Sequence, residues 1–209
     1  MEIALDVESF IQKHQIQSPT IIGHSMGAKT ALTVALHSPN LVSNIVAVDN
    51  CPIHLPLVAD FSRYLEGMKE IDKMQVRTHV EAEEILRRYE QSAAVRSWLL
   101  SNFVKMDNSS SLKSRVPLDI LSNAKGPLGD FPYRSGEAEF RQPVLFLRAL
   151  QSHYFPQTAF PIIESFFPNS KILEMNCGHW IVQEKPAQFR KGLLTMDCPK
   201  SHGGANLFL

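Results

Sequence analysis

Apolar residues fall into two kinds of run along this chain. Four runs are short and rich in aliphatic residues: 19–22, 44–48, 143–147 and 171–175. Continuous apolarity of this length, rather than strict alternation, predicts strands of a parallel sheet covered on both faces. Between these runs the spacing turns helical. Ala28, Ala31, Leu32, Ala35 and Leu36 recur on one helical face, and Pro39-Asn40 closes that segment. Ile163, Phe166 and Phe167 mark a second helix over 159–167, and residues 186–194 a closing one. Ahead of the first strand, Ile3, Val7, Phe10 and Ile11 carry the stripe of another helix. Strand, helix, strand in this order predicts an α/β fold.

Residues 52–140 break the alternation. Helix formers dominate there, predicting helices over 57–73, 80–89 and 93–103 with Leu65, Met68 and Ile71, then Ile85, Leu86 and Tyr89, turned inward. The polar run Asp107 to Ser111 predicts a loop. The chain therefore divides into a core of 1–51 and 141–196, a helical insertion of 52–140, and an exposed tail of 197–209 where the pattern stops. Trp98, Phe103, Phe131 and Tyr133 either fill the insertion's own core or line a substrate pocket.

Charge and cysteine usage narrow the function classes. With 21 basic and 21 acidic residues, the chain offers no field to draw nucleic acid or an anionic membrane. Hydrophobic content of 44% is that of an ordinary globular chain, and no stretch approaches the roughly 20 apolar residues of a membrane span. No basic, acid-poor leader opens it. Cys51, Cys177 and Cys198 are too few and too scattered to suggest disulfides or zinc, and no metal or cofactor is expected.

The first strand runs directly into Gly23-His24-Ser25-Met26-Gly27. A serine on so sharp a strand-to-helix turn is pushed out of the sheet, and glycines at both flanks let backbone pass where a Cβ would clash. Ser25 is the candidate nucleophile and the amide of Met26 a candidate oxyanion donor. A serine hydroxyl needs a base, and the base needs an acid to fix its tautomer. His179, just past the run 171–175 and beside Gly178, is the candidate base. In this architecture the acid often follows the run 143–147, but the loop there, Ala149 to Tyr154, holds no carboxylate. Asp49, at the carboxyl end of the run 44–48, can reach the same crevice and is the candidate acid. Ser152, in the acid-free loop, is a candidate support for Asp49 or His179.

The order Ser25, Asp49, His179 is that of the α/β-hydrolases. Gly-His-Ser-Met-Gly-Ala-Lys, Val-Asp-Asn-Cys-Pro-Ile, Leu-Arg-Ala-Leu-Gln-Ser-His-Tyr and Cys-Gly-His-Trp together resemble a subfamily of bacterial acyl-CoA esterases, mitochondrial α/β-hydrolase-domain proteins and fungal ethanol acetyltransferases. The segment from Leu121 to Tyr133 is most similar to the fungal branch. The resemblance implies an α/β-hydrolase fold with a helical cap and supports Asp49, since in that subfamily the acid follows the strand after the elbow. It implies acyl transfer through a serine acyl-enzyme on short-acyl esters or acyl-CoA thioesters, with water or a small alcohol as acceptor, and a mitochondrial location, or otherwise a cytoplasmic one. Family members carry further strands before the elbow strand. The resemblance therefore implies an N-terminally truncated chain with a partial sheet and one oxyanion donor fewer, and an unprotected strand edge that invites pairing with another chain. A non-catalytic fragment is the alternative from another class.

Overall fold

The computed structural model describes residues 1–56, 59–106, 110–196 and 206–208. It opens with α1 (Glu2–Lys13), which buries Ala4, Val7, Glu8 and Ile11. That face differs from the predicted stripe. Val7 and Ile11 point inward as expected, but Ile3 and Phe10 are both 45% exposed. Ala4 and Glu8 complete the helical face instead, and the buried Glu8 carboxylate is matched by His37, whose Nδ1 lies 2.9 Å from Oε1.

Next come β1 (Thr20–His24), α2 (Met26–His37) and β2 (Asn44–Val48). A second compact unit, Pro56–Gly129, follows. It contains α3 (Ala59–Met74), α4 (His79–Leu86), α5 (Ala93–Leu100), β3 (Phe103–Lys105), β4 (Leu112–Ser114), α6 (Leu118–Asn123) and α7 (Lys125–Gly129). The first unit then resumes with β5 (Val144–Ala149), α8 (Phe160–Phe166), β6 (Ser170–Met175), α9 (Ile181–Glu184), α10 (Pro186–Leu193) and β7 (Asn206–Phe208).

The sheet has the order β6-β5-β2-β1-β7, and every ladder in it is parallel. Its two faces explain the continuous apolar runs. Ile21, Ile45, Ala47, Val144 and Phe146 join one buried cluster with residues of α1, α2 and α8. Their neighbours Ile22, Val46, Val48, Leu145 and Leu147 join a second cluster with Ile181, and Phe189 and Leu193 of α10 pack against it. Successive strand residues point to opposite faces, so a strand covered on both sides needs apolar residues at every position. Each fully buried aliphatic or phenylalanine side chain contributes about 1.5–3 kcal/mol relative to exposure.

Inside the second unit, Leu65, Met68, Ile71, Ile85 and Leu86 are buried as their spacing predicts. The helix expected over 93–103 stops at Leu100, because Asn102 folds back to donate to the carbonyls of Trp98 and Leu99. Phe103–Lys105 instead pairs antiparallel with Leu112–Ser114. Residues 57, 58 and 107–109 of the predicted helix and loop lie outside the described residues.

The insertion is also shorter than the sequence suggests. Residues 130–140 belong to the sheet unit, where Phe131 and Phe140 are buried and the Phe131 ring lies 5.8 Å from that of Phe166. Phe103 is buried in the second unit, whereas Trp98 is about half exposed.

The carboxyl-terminal segment departs most from expectation. Residues 197–205 and 209 lie outside the described residues, but Asn206–Phe208 is a strand, not exposed tail. It pairs with β1 at Thr20, Ile21 and Ile22. Backbone hydrogen bonding thus closes that part of the edge which the partial sheet was expected to leave open.

Candidate active site

The turn after β1 is shaped by backbone contact. A Cβ placed on Gly23 would lie 2.2 Å from the carbonyl oxygen of Gly27 and 2.7 Å from the amide nitrogen of Ala28, so only glycine fits. Ser25 sits at φ 57, ψ −117, a conformation that an L-residue keeps only when its surroundings hold it there. They do so from three sides. Its N–H donates to Val48 at 2.9 Å, carrying the β1–β2 pairing one residue further. Its carbonyl accepts from Ala28 at 3.1 Å and from the Asn50 side chain, also at 3.1 Å. Met26 then opens α2, so its N–H is among the donors that have no carbonyl partner within a helix.

Asp49 follows β2 at φ 48, a left-handed conformation that aspartate tolerates better than most residues. Its carboxylate is fully buried and fully used. Oδ1 accepts from the Ala149 amide at 3.0 Å, and Oδ2 accepts from Nδ1 of His179 at 2.6 Å. Buried charge is tolerable only with such partners. With the proton of His179 on Nδ1, its Nε2 carries a lone pair, and that atom lies 3.0 Å from Oγ of Ser25. The three predicted residues therefore meet at the carboxyl ends of β1, β2 and β6, all within the sheet unit.

Ser152 is not brought into this chain of bonds. Its amide turns back to the Ala149 carbonyl and its hydroxyl accepts from the Tyr154 amide at 3.2 Å. Both oxygens of Asp49 take their hydrogen bonds elsewhere, from the Ala149 amide and the His179 ring. The acid-free loop contributes Tyr154 instead, whose ring centroid lies 4.4 Å from that of His179.

Three further residues escape the sequence reading. Asn50 clamps the elbow carbonyl while its own Oδ1 accepts from the Cys51 amide. Glu184 accepts from the Gly178 amide at 2.9 Å, holding the histidine loop. His24 donates from Nε2 to the His179 carbonyl at 2.9 Å, and the two rings lie 4.6 Å apart. Burial, and then the neighbouring His179, hold the pKa of His24 below 6.5. The Gly-His-Ser order was the one available signal, since it puts an imidazole beside the serine.

Cys51 and Cys177 are free, buried thiols, and Cys198 lies outside the described residues. Burial pushes the Cys51 thiol up to about 12, and burial with Glu184 nearby raises that of Cys177. Thiols held protonated in this way are poor nucleophiles. Among the described residues no helix is long and apolar enough to cross a membrane.

Comparison with known proteins agrees with this architecture. An abhydrolase domain-containing protein of Schizosaccharomyces pombe is 36% identical over 193 residues, which cover 92% of this chain and 72% of that protein. A protein of Saccharomyces cerevisiae named "Probable alcohol acetyltransferase" is 38% identical over 205 residues, and an sn-1-specific diacylglycerol lipase of Xenopus laevis is 34% identical over 192. The chain spans only 60% of the length of each of these two. A solved marine microorganism esterase superposes with a TM-score of 0.85 at 26% identity, covering 91% of this chain and 74% of that one. A family model described as alpha/beta hydrolase fold matches residues 1–186, and the chain belongs to that family.

Proposed function

We propose that this chain carries the acyl-transfer centre of a serine hydrolase that acts on short-acyl carboxylic esters or acyl-CoA thioesters. The observation that supports this reading is the unbroken chain of bonds from Asp49 Oδ2 through the His179 ring to Ser25 Oγ, at 2.6 and 3.0 Å. Oγ of Ser25 attacks the substrate carbonyl carbon as its proton passes to Nε2 of His179. The Met26 amide, at the positive end of α2, faces the developing oxyanion. Collapse of the tetrahedral adduct expels the alcohol or thiol, which takes the proton from His179, and leaves an ester on Ser25. An incoming water or alcohol then bonds to the acyl carbon as its proton passes to Nε2 of His179, and collapse of this second adduct breaks the bond to Ser25 Oγ, which takes that proton back as the acyl group leaves. Asp49 keeps the base in one tautomer and balances its charge while it is protonated.

A fluorophosphonate probe tests the nucleophile: it labels the wild-type chain and leaves Ser25→Ala unlabelled. Probe incorporation equal in both, or absent from a folded wild-type chain, overturns the reading in favour of a non-catalytic hydrolase-like fragment. Hydrolysis of p-nitrophenyl acetate, butyrate, octanoate and palmitate tests the acyl class. Short esters are expected to turn over fastest, and preference for palmitate would move the reading towards the lipase-named relatives.

Transfer to an alcohol is the second reading, favoured by the 38% identity to the acetyltransferase-named yeast protein. Formation of ethyl acetate from acetyl-CoA and ethanol supports it, and free acetate alone removes it. The mitochondrial location is part of the same proposal, resting on family resemblance, and imaging of a fluorescent fusion to the endogenous gene product tests it.

A further inference from the structure

His24 has no bond-making role in the proposed reaction, yet its side chain ties the nucleophile's strand to the base's own backbone. The loop carrying His179 is fastened at three successive residues. Gln151 N–H donates to the Cys177 carbonyl at 3.0 Å, Gly178 N–H donates to Glu184, and the His179 carbonyl accepts from Nε2 of His24 at 2.9 Å. Only the third of these reaches the base itself. Its donor is the immediate neighbour of Ser25, so the elbow and the base share a bridge of one side chain.

We infer that His24 is a positioning residue for His179: its Nε2–H fixes the carbonyl of the base and thereby the 3.0 Å approach of His179 Nε2 to Ser25 Oγ. This rests on the proposed serine-histidine chemistry. A carbonyl accepts only from a protonated nitrogen, so Nε2 of His24 carries hydrogen and Nδ1 is the nitrogen free to go without. Burial and the proximity of His179 favour that uncharged form, against the opposing pull of the carbonyl bond and of Asp49, the other charged group acting on the ring. Neutrality matters here because His179 becomes cationic during turnover with its ring centre 4.6 Å away. A second cation at that distance opposes the first.

Three substitutions separate this role from simple packing. Glutamine carries an amide N–H about as far from its backbone as Nε2 of histidine, asparagine carries the same group too short to reach, and leucine carries none. With p-nitrophenyl acetate, His24→Leu and His24→Asn are expected to lower kcat by about 10- to 100-fold while KM moves less than about threefold, and His24→Gln to recover kcat to within about threefold of wild type. Thermal melting establishes that each variant is folded, and where His24→Leu is not, the asparagine and glutamine pair alone decides. Wild-type kcat in His24→Asn, or kcat in His24→Gln as low as in His24→Asn, overturns the inference. Ser25→Ala is run alongside. Labelling and turnover that survive in Ser25→Ala defeat the serine reading itself, whereas an inert Ser25→Ala beside a fully active His24→Asn defeats only the role of His24.

Discussion

The elbow around Ser25 and the loop around His179 reach the same point by different physics. Residues 23–27 are shaped by close neighbours, with Gly23 against the Gly27 carbonyl, the positive φ of Ser25 and the Ala28 amide turned on to the Ser25 carbonyl, and are steadied by Val48 and Asn50 at the end of the adjoining strand. The loop 176–180 has little of this. Its amide and carbonyl groups are held by Gln151, Glu184 and His24, and its ring by Asp49, the last two lying 155 and 130 residues away in sequence. A nucleophile built locally survives changes elsewhere in the chain, while a base built from distant partners is sensitive to each of them.

Breaking the local construction gives the largest effect. Gly23→Ala places a Cβ 2.2 Å from a backbone oxygen, a clash that no rotamer relieves. The elbow must open, taking the β1–α2 packing with it, and overpacking of this kind costs on the order of 1–3 kcal/mol or more. The expected result is a melting temperature lower by about 10 °C or more and loss of probe labelling. A Gly23→Ala chain that melts normally and still labels would mean that the turn is not set by this contact.

Breaking the distant construction at its strongest link leaves the fold in place and removes the chemistry. Asp49→Asn keeps an oxygen for the Ala149 amide but can turn an N–H towards His179, which favours the wrong tautomer of the base. A fall in kcat of about a thousand- to ten-thousandfold is expected, with the thermal transition retained. Turnover in Asp49→Asn within tenfold of wild type would remove Asp49 from the acid's role.

The same contrast explains what could be read from the sequence. Gly23, Ser25 and Gly27 announce the elbow because its requirements are satisfied by residues adjacent to one another. The sheet strands were legible because both faces are apolar, and α2 because its buried residues repeat at helical spacing. Asp49 and His179 could be placed by their positions after strand runs. Ser152 could not be placed, because the direction of its hydroxyl is decided by a turn to the Ala149 carbonyl and by the Tyr154 amide. Asn50, Glu184 and His24 were equally opaque, since polar residues near a loop acquire their roles from partners that spacing does not reveal. The strand at Asn206–Phe208 was missed for a related reason. Three residues carry no periodicity, and what makes them a strand is the edge of β1.

A weaker link in the loop sharpens the comparison. Glu184→Ala deprives the Gly178 amide of its acceptor in an exposed setting, where the net loss is about 1 kcal/mol. Loosened loop geometry is expected to lower kcat severalfold with KM nearly unchanged. A loss as deep as that of Asp49→Asn would show that the loop depends on Glu184 as much as the base depends on its carboxylate.

The smallest expected effect lies in the pH dependence of stability. His24 in the folded chain binds its proton less readily than the ordinary value of 6.5, first because it is buried and then because His179 is beside it. Below 6.5 the unfolded chain therefore holds more protons at this position than the folded one, and stability rises with pH in that window. The contribution is fully present above 6.5 and is lost as the pH falls towards the folded value. His24→Gln cannot titrate, so its melting temperature should gain on that of wild type by a few degrees as the pH is lowered from about 7.5 to about 5.5. A difference that stays constant across that range would mean that His24 titrates alike in both states, and that the tie between nucleophile strand and base loop is indifferent to the charge on its bridging ring.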